Sequence, residues 1–213
     1  MSTIINATTT NGVVIQPDNS GSLVLQTNNG TTALTISTAQ NATFAGTVTL
    51  PTGTIYPIVP STAVASTSGT SIDFTSIPSW VERITIMFQG VSTNGSSITQ
   101  IQLGTSGGIV TSSYLGSGFI AADANTPAIV NMSSGFLTSG FGAAGYVRHG
   151  SIVISNITGN SWVAHGITGQ SDSTRINMCG GSISLSGTLD RVRITTVNGT
   201  DTFDAGSINI LYE

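Results

Sequence analysis

Only 7% of the 213 residues are charged and the net charge is −4, against about 25% charged residues in ordinary soluble domains. The chain has no lysine and five arginines, so it lacks the basic face that nucleic acid or an anionic membrane requires. Its surface must be built from Ser, Thr, Asn, Gln and Gly, which suits a β-rich scaffold held in a fixed assembly.

Residues 1–50 read as short apolar strokes between polar turns. Val13–Gln16, Ser22–Thr27, Leu34–Ile36, Thr43–Ala45 and Thr47–Leu50 recur about every ten residues, separated by runs such as Asp18-Asn19-Ser20-Gly21 and Asn28-Asn29-Gly30. Each stroke carries at most three large apolar residues. A segment this thin cannot bury enough area to offset its ordering entropy, so it must pack on something. The two options are the rest of the chain and further copies of itself around a three-fold axis; the second is favoured, because short repeated strokes bury continuous surface only when stacked or wrapped. Residues 1–50 are therefore read as an N-terminal β arm for attachment and trimerisation.

Pro51, Pro57 and Pro60 fall within ten residues, and STAVASTSGT follows them. Proline fixes φ and removes a donor, so residues 51–69 read as an extended linker.

Residues 70–213 read as a β-sandwich. Ser71–Phe74 alternates into a strand, and Arg83–Val91 follows with period two, the signature of a half-buried strand. With Asn94-Gly95 as a tight turn, Ser71–Asn94 is expected to be the core hairpin. Further strands are expected at Ile98–Leu103, Gly107–Ser112, Phe119–Ala121, Ala128–Asn131, Gly135–Leu137, Ser151–Ser155, Trp162–Ile167, Ile176–Met178 with Ser182–Leu185, Arg191–Thr196 and Ser207–Tyr212. No window has helical period. The expectation is an all-β chain: an extended arm followed by an antiparallel jelly-roll-like sandwich.

Chemical signals are sparse. Gly104–Gly108 fits the G-x-S-x-G pattern around Ser106, but the required helix is replaced by strand-like Ile109–Leu115, so it reads as a turn. His149 and His165 show no metal-ligand spacing and read as core or edge residues. Asp201 and Asp204 lack any calcium-loop pattern. Cys179, the single cysteine, rules out an intrachain disulfide and reads as a small buried hydrophobe. No catalytic, cofactor or metal residues are assigned. Asp190, Arg191 and Arg193 are placed to form cross-strand ion pairs. Trp80 and Trp162 are expected in the core. Tyr114, Phe119, Phe136, Phe141 and Tyr146 lie in the Gly-rich stretch Ser112–Gly150, expected to form loops at one end of the sandwich. Rings there either anchor the loops or stack on sugar faces. No transmembrane run is found. MSTIINATTT lacks the basic and apolar regions of a signal peptide, so synthesis in a cytoplasm without export is expected.

The phrase SIDFTSIPSWVERITIMFQGVSTNGSSITQIQLGTSGGIVTSSYLGSG resembles a segment found in tail-fibre and other virion proteins of marine and cyanobacterial tailed bacteriophages. The arm NGVVIQPDNSGSLVLQTNNGTTALTISTAQNATFAGTVT and the terminal GSINILYE are similar to segments of such proteins as well. The resemblance carries no catalytic residues. It implies a homotrimeric virion structural protein, made in the bacterial cytoplasm, with the arm bound to another virion protein and the sandwich turned outward, where a host-surface glycan is a possible partner. A tail fibre is the leading expectation; a capsid decoration protein is the alternative, and a glycan-degrading tailspike a third.

Overall fold

The computed structural model describes residues 21–27, 30–50, 53–54, 57–122 and 128–213. The expected strand Val13–Gln16 lies outside them, as do Pro51 and Asp123. The chain forms two compact units, Met1–Ile55 and Tyr56–Glu213.

In the first unit, β1 (Leu23–Thr27), β2 (Thr31–Ile36) and β3 (Ala42–Phe44) form an antiparallel meander in the order β1-β2-β3. β4 (Thr49–Leu50) and β5 (Gly53–Thr54) pair separately. The turn before β3 is closed by Ser37 and Asn41, each bonding the other's backbone, with Gln40 at positive φ. None of the described residues between 21 and 48 is buried, and Val24, Leu25 and Phe44 are exposed.

The second unit is an all-β sandwich. Its strands are β6 (Val59–Pro60), β7 (Val64–Ala65), β8 (Ser71–Phe74), β9 (Arg83–Thr93), β10 (Thr99–Thr105), β11 (Gly108–Ile109), β12 (Leu115–Ala122), β13 (Ala128–Asn131), β14 (Phe136–Leu137), β15 (Arg148–Thr158), β16 (Ser161–Gln170), β17 (Arg175–Ser184), β18 (Arg191–Thr196) and β19 (Phe203–Tyr212). The large sheet runs β13-β12-β17-β16-β15-β9-β19-β6, with β7 also on β19. The small sheet runs β11-β10-β18-β8, with β14 also on β10.

The pairs are nested. β7 joins β19, β8 joins β18, β9 joins β15 and β10 joins β14, all antiparallel. A long hairpin rolled so that its paired segments alternate between two sheets is the jelly-roll arrangement. The β16–β17 hairpin and the β12–β13 pair are insertions that widen the large sheet beyond β15.

Alternation builds the core. Ile84, Ile86 and Phe88 of β9, Ile152 and Ile154 of β15, Trp162 and Ala164 of β16, and Ile208 and Ile210 of β19 point inward from the large sheet. Ile72, Phe74, Ile101, Leu103, Val192 and Ile194 meet them from the small sheet. Each such burial is worth roughly 1.5–3 kcal/mol before entropy is subtracted. Trp162 is buried as expected; Trp80 is half-buried, its ring centroid 5.9 Å from that of Tyr212.

Three expectations change. Ser71–Asn94 is not a hairpin, because β8 and β9 lie in opposite sheets. Asn94 and Gly95 instead begin an arch between sheets: the Asn94 side chain accepts a bond from Thr202 N–H at 2.9 Å. A Cβ at Gly95 would land on the Asp201 carboxyl. Next, part of the proline stretch is sheet. β6 and β7 add to the edge of β19, where Pro60 is tolerated because an edge strand can spare its donor. Finally, the Gly-rich stretch holds the eight-residue strand β12. A Cβ at Gly118 would meet the Ser139 carbonyl, and one at Gly116 the backbone of Gly180 and Gly181, so these glycines permit close packing inside a sheet.

Candidate binding surface at the loop end

One end of the sandwich gathers the residues 138–147 and 171–174. The inward positions of β15, β16 and β17 turn polar as they approach it: Arg148, Thr168, Gln170 and Asn177 are buried where Ile, Trp and Ala occupy the same phase further along. Asn177 is held by Thr168, donating to its carbonyl at 3.2 Å and its hydroxyl at 3.3 Å. Ser139 donates to the Asn177 side-chain oxygen at 2.8 Å and accepts from Phe141 N–H at 3.1 Å. A polar column thus ties the loop to the sheet and leaves Phe141 exposed at its tip.

The Phe141 and Tyr146 rings stand 6.3 Å apart, tilted by 56°. The Arg175 guanidinium sits 4.7 Å from the Tyr146 ring centroid, a cation–π distance. Arg175 also donates to Ser173, and Ser173 to Gln170. Asp172 accepts Val147 N–H at 3.0 Å. Beneath them lies Arg148, 1% exposed, whose Nη1 reaches the Tyr146 carbonyl at 3.4 Å. Its Nε and Nη2 have no protein partner. Burial pushes its pKa down to about 10, opposed by Asp172 and then Tyr146.

His149 and Ser171 are 3.1 Å apart at this end. They are not a base–nucleophile pair. Gly90 N–H donates to His149 Nδ1 at 3.3 Å, which leaves the ring proton on Nε2, so the imidazole donates to Ser171 and has no lone pair there for its proton. The arrangement offers two aromatic faces, a cation and a carboxylate, a set suited to stacking and hydrogen bonding with a hydroxyl-rich ligand.

The other singled-out residues disperse. Tyr114 and Phe136 are core, packed edge to face at 5.0 Å. The Tyr114 hydroxyl accepts Leu103 N–H at 2.7 Å and donates to the Val110 carbonyl at 3.1 Å. Phe119 lies on the outer face of β12. Ser106 is exposed in the turn that joins β10 to β11, and a strand follows where a nucleophile elbow needs a helix. Cys179 lies in β17, its thiol pushed up to about 11 by burial, the reverse of a reactive thiolate. His149 and His165 are both exposed on strands, so neither is core. Asp201 binds Ser97 N–H and Asn198, while Asp204 binds the Ser92 hydroxyl; the two do not converge. Among the described residues no three His, Cys, Asp or Glu side chains gather to hold a metal. Arg193 makes the expected cross-strand pair, bidentate on Asp73 at 2.7 and 2.9 Å, whereas Arg191 pairs with its neighbour Asp190. A cavity of about 360 Å³ beside Ser97, Val130, Ser134 and Leu137 carries no titratable lining.

Sequence reasoning singled out Phe141 and Tyr146 but not Arg148, Asp172 or Arg175. The available signal was the switch from apolar to polar residues at inward phase in β15–β17. No protein-family model, curated protein or solved structure matches the chain.

Proposed function

We propose that the protein is a structural component of a tailed-bacteriophage virion, a homotrimeric tail fibre. In this reading residues 1–50 join another virion protein and intertwine three chains, and the loop end of the sandwich contacts a host-surface glycan. The observation that carries it is the first unit: Leu23, Val24, Leu25, Leu34, Ile36 and Phe44 share three strands, yet none of them is buried. A meander without a core does not offset its ordering entropy, so its apolar side chains call for partner chains. The resemblance of the Ser71–Asn94 phrase to virion proteins and the near-absence of charge point the same way. The exposed Phe141, with the half-buried Tyr146 and Arg175 beside it, supports glycan contact.

Light scattering on the full-length chain should give three times the chain mass; a stable monomer refutes the reading. Gold-labelled antibody against the sandwich should mark the tail of the particle. Label on the head would replace the tail fibre with a capsid decoration protein.

A further inference from the structure

The outer face of the large sheet, away from the core, has an unusual composition. Register places its side chains in rows across seven strands. One row runs Asn209, Met87, Ser151, Ile167, Met178, Phe119, Ile129. The row beside it runs Leu211, Thr85, Val153, His165, Gly180, Ser117, Asn131 through the same pairings. Ile176 and Ala121 flank the first row, and Val163 the second. The Arg83–Glu213 ion pair stands at one corner of this face. Ile129 is 66% exposed, Ile167 56%, Ile176 48% and Met178 42%. Single exposed apolar residues need no explanation; a contiguous group does.

Two glycines in this face give an independent sign. A Cβ at Gly169 would meet nothing within 4 Å, and one at Gly180 only the Ala164 carbonyl at 4.0 Å. Neither has positive φ. Nothing inside the chain requires them, and glycine weakens a strand interior unless another backbone approaches closely. They leave hollows directly beside the exposed Ile176 and His165.

We infer that this face is the surface on which copies of the chain pack against one another, with aliphatic side chains such as Ile167 and Met178 seated against the hollows at Gly169 and Gly180. The inference rests on the trimeric reading above and assigns it a surface in the sandwich. Seven strands spaced by about 4.8 Å, with rows every second residue, span an area on the order of 600 Å², approaching the ~800 Å² per partner of a standard interface. The near-absence of charge removes the repulsion that keeps ordinary sheet faces apart. A sugar ligand would need stacking rings here, and Phe119 is the one aromatic ring apart from the His165 imidazole in these rows.

The test compares Ile167→Cys with Ser186→Cys, an exposed position on a bend outside the face, each in the full-length chain. A bulky polyethylene-glycol maleimide should label Ile167→Cys at least tenfold more slowly than Ser186→Cys in native buffer, and equally fast in urea. Equal native rates in a chain whose scattering mass is still oligomeric overturn the face assignment and leave the trimer standing. A monomeric mass overturns both. Gly180→Ala, whose Cβ would meet only the Ala164 carbonyl at 4.0 Å in the single chain, should lower the temperature at which the oligomer dissociates while preserving the circular dichroism spectrum; an unchanged dissociation temperature counts against the inference.

Discussion

Replacing Arg148 by methionine is expected to stabilise the sandwich. The guanidinium is 1% exposed, and Nε and Nη2 have no protein partner. Burial lowers its pKa from the ordinary arginine value to about 10, a shift that corresponds to a cost on the order of 3 kcal/mol to the folded state at neutral pH. Methionine keeps the apolar stem and removes the charge; exchanges of buried charge for packed apolar groups gain roughly 1–4 kcal/mol in favourable cases. Losing the long bond to the Tyr146 carbonyl subtracts roughly 1 kcal/mol. The net gain should be about 2 kcal/mol, or a rise in Tm of about 4–8 °C for a domain of this size. The sign is checked by pH. A cation with a depressed folded pKa is penalised below about 10, and the penalty is relieved as pH rises through that value toward the ordinary one. The advantage of Arg148→Met in urea melts should therefore shrink above pH 10. A loss of 2 kcal/mol or more at pH 7 would refute the reasoning and mean that a water or anion completes the guanidinium's bonds.

Tyr114→Phe strands the buried Leu103 N–H and should cost about 1–3 kcal/mol in urea titration; a neutral effect would contradict the assigned bond. Tyr114 itself is pushed up to about 12 by burial, so the stability tied to its neutral form is present below the ordinary tyrosine pKa and lost as pH rises toward 12. Gly95→Ala drives a Cβ into the Asp201 carboxyl and breaks its bond to Ser97 N–H; a Tm several degrees lower is expected, recovered in part by Asp201→Ser. Cys179, pushed up to about 11, should react with a disulfide reagent at pH 8 about a hundredfold more slowly in the native chain than in urea; equal rates would place the thiol in solvent.

The strands were legible because period two survives in the long ones: Arg83–Val91 and Arg191–Thr196 fall where the alternation places them. Sheet membership was not legible. β8 and β9 are adjacent in sequence and equally apolar, and their partners lie more than fifty residues away, in β18 and β15. The candidate surface was half legible. Aromatic residues in a Gly-rich stretch suggested Phe141 and Tyr146, but the same rule offered Tyr114 and Phe136, which long-range packing takes into the core. Arg175 joins the cluster only because β17 runs back beside the loop, a placement that local sequence does not encode.

The position of β19 bears on how the molecule is made. This strand comes last, yet it sits between β9 and the β6–β7 segments. A ribosome adding about 5–20 residues per second takes on the order of ten seconds to travel from the end of β9 to the end of β19. Throughout that interval one whole edge of β9 is an unpaired template, and β6 and β7 have nothing to join. Such an edge attracts strands from neighbouring nascent chains. Until β19 arrives, its protection falls to the kink at Gly90, a β9 residue at positive φ, and to whatever chaperone the cell supplies. Chains interrupted before residue 203 would lack β19 and leave one edge of β9 and both β6 and β7 without partners, so such an interruption removes the protomer from assembly and does not yield a slightly shortened one.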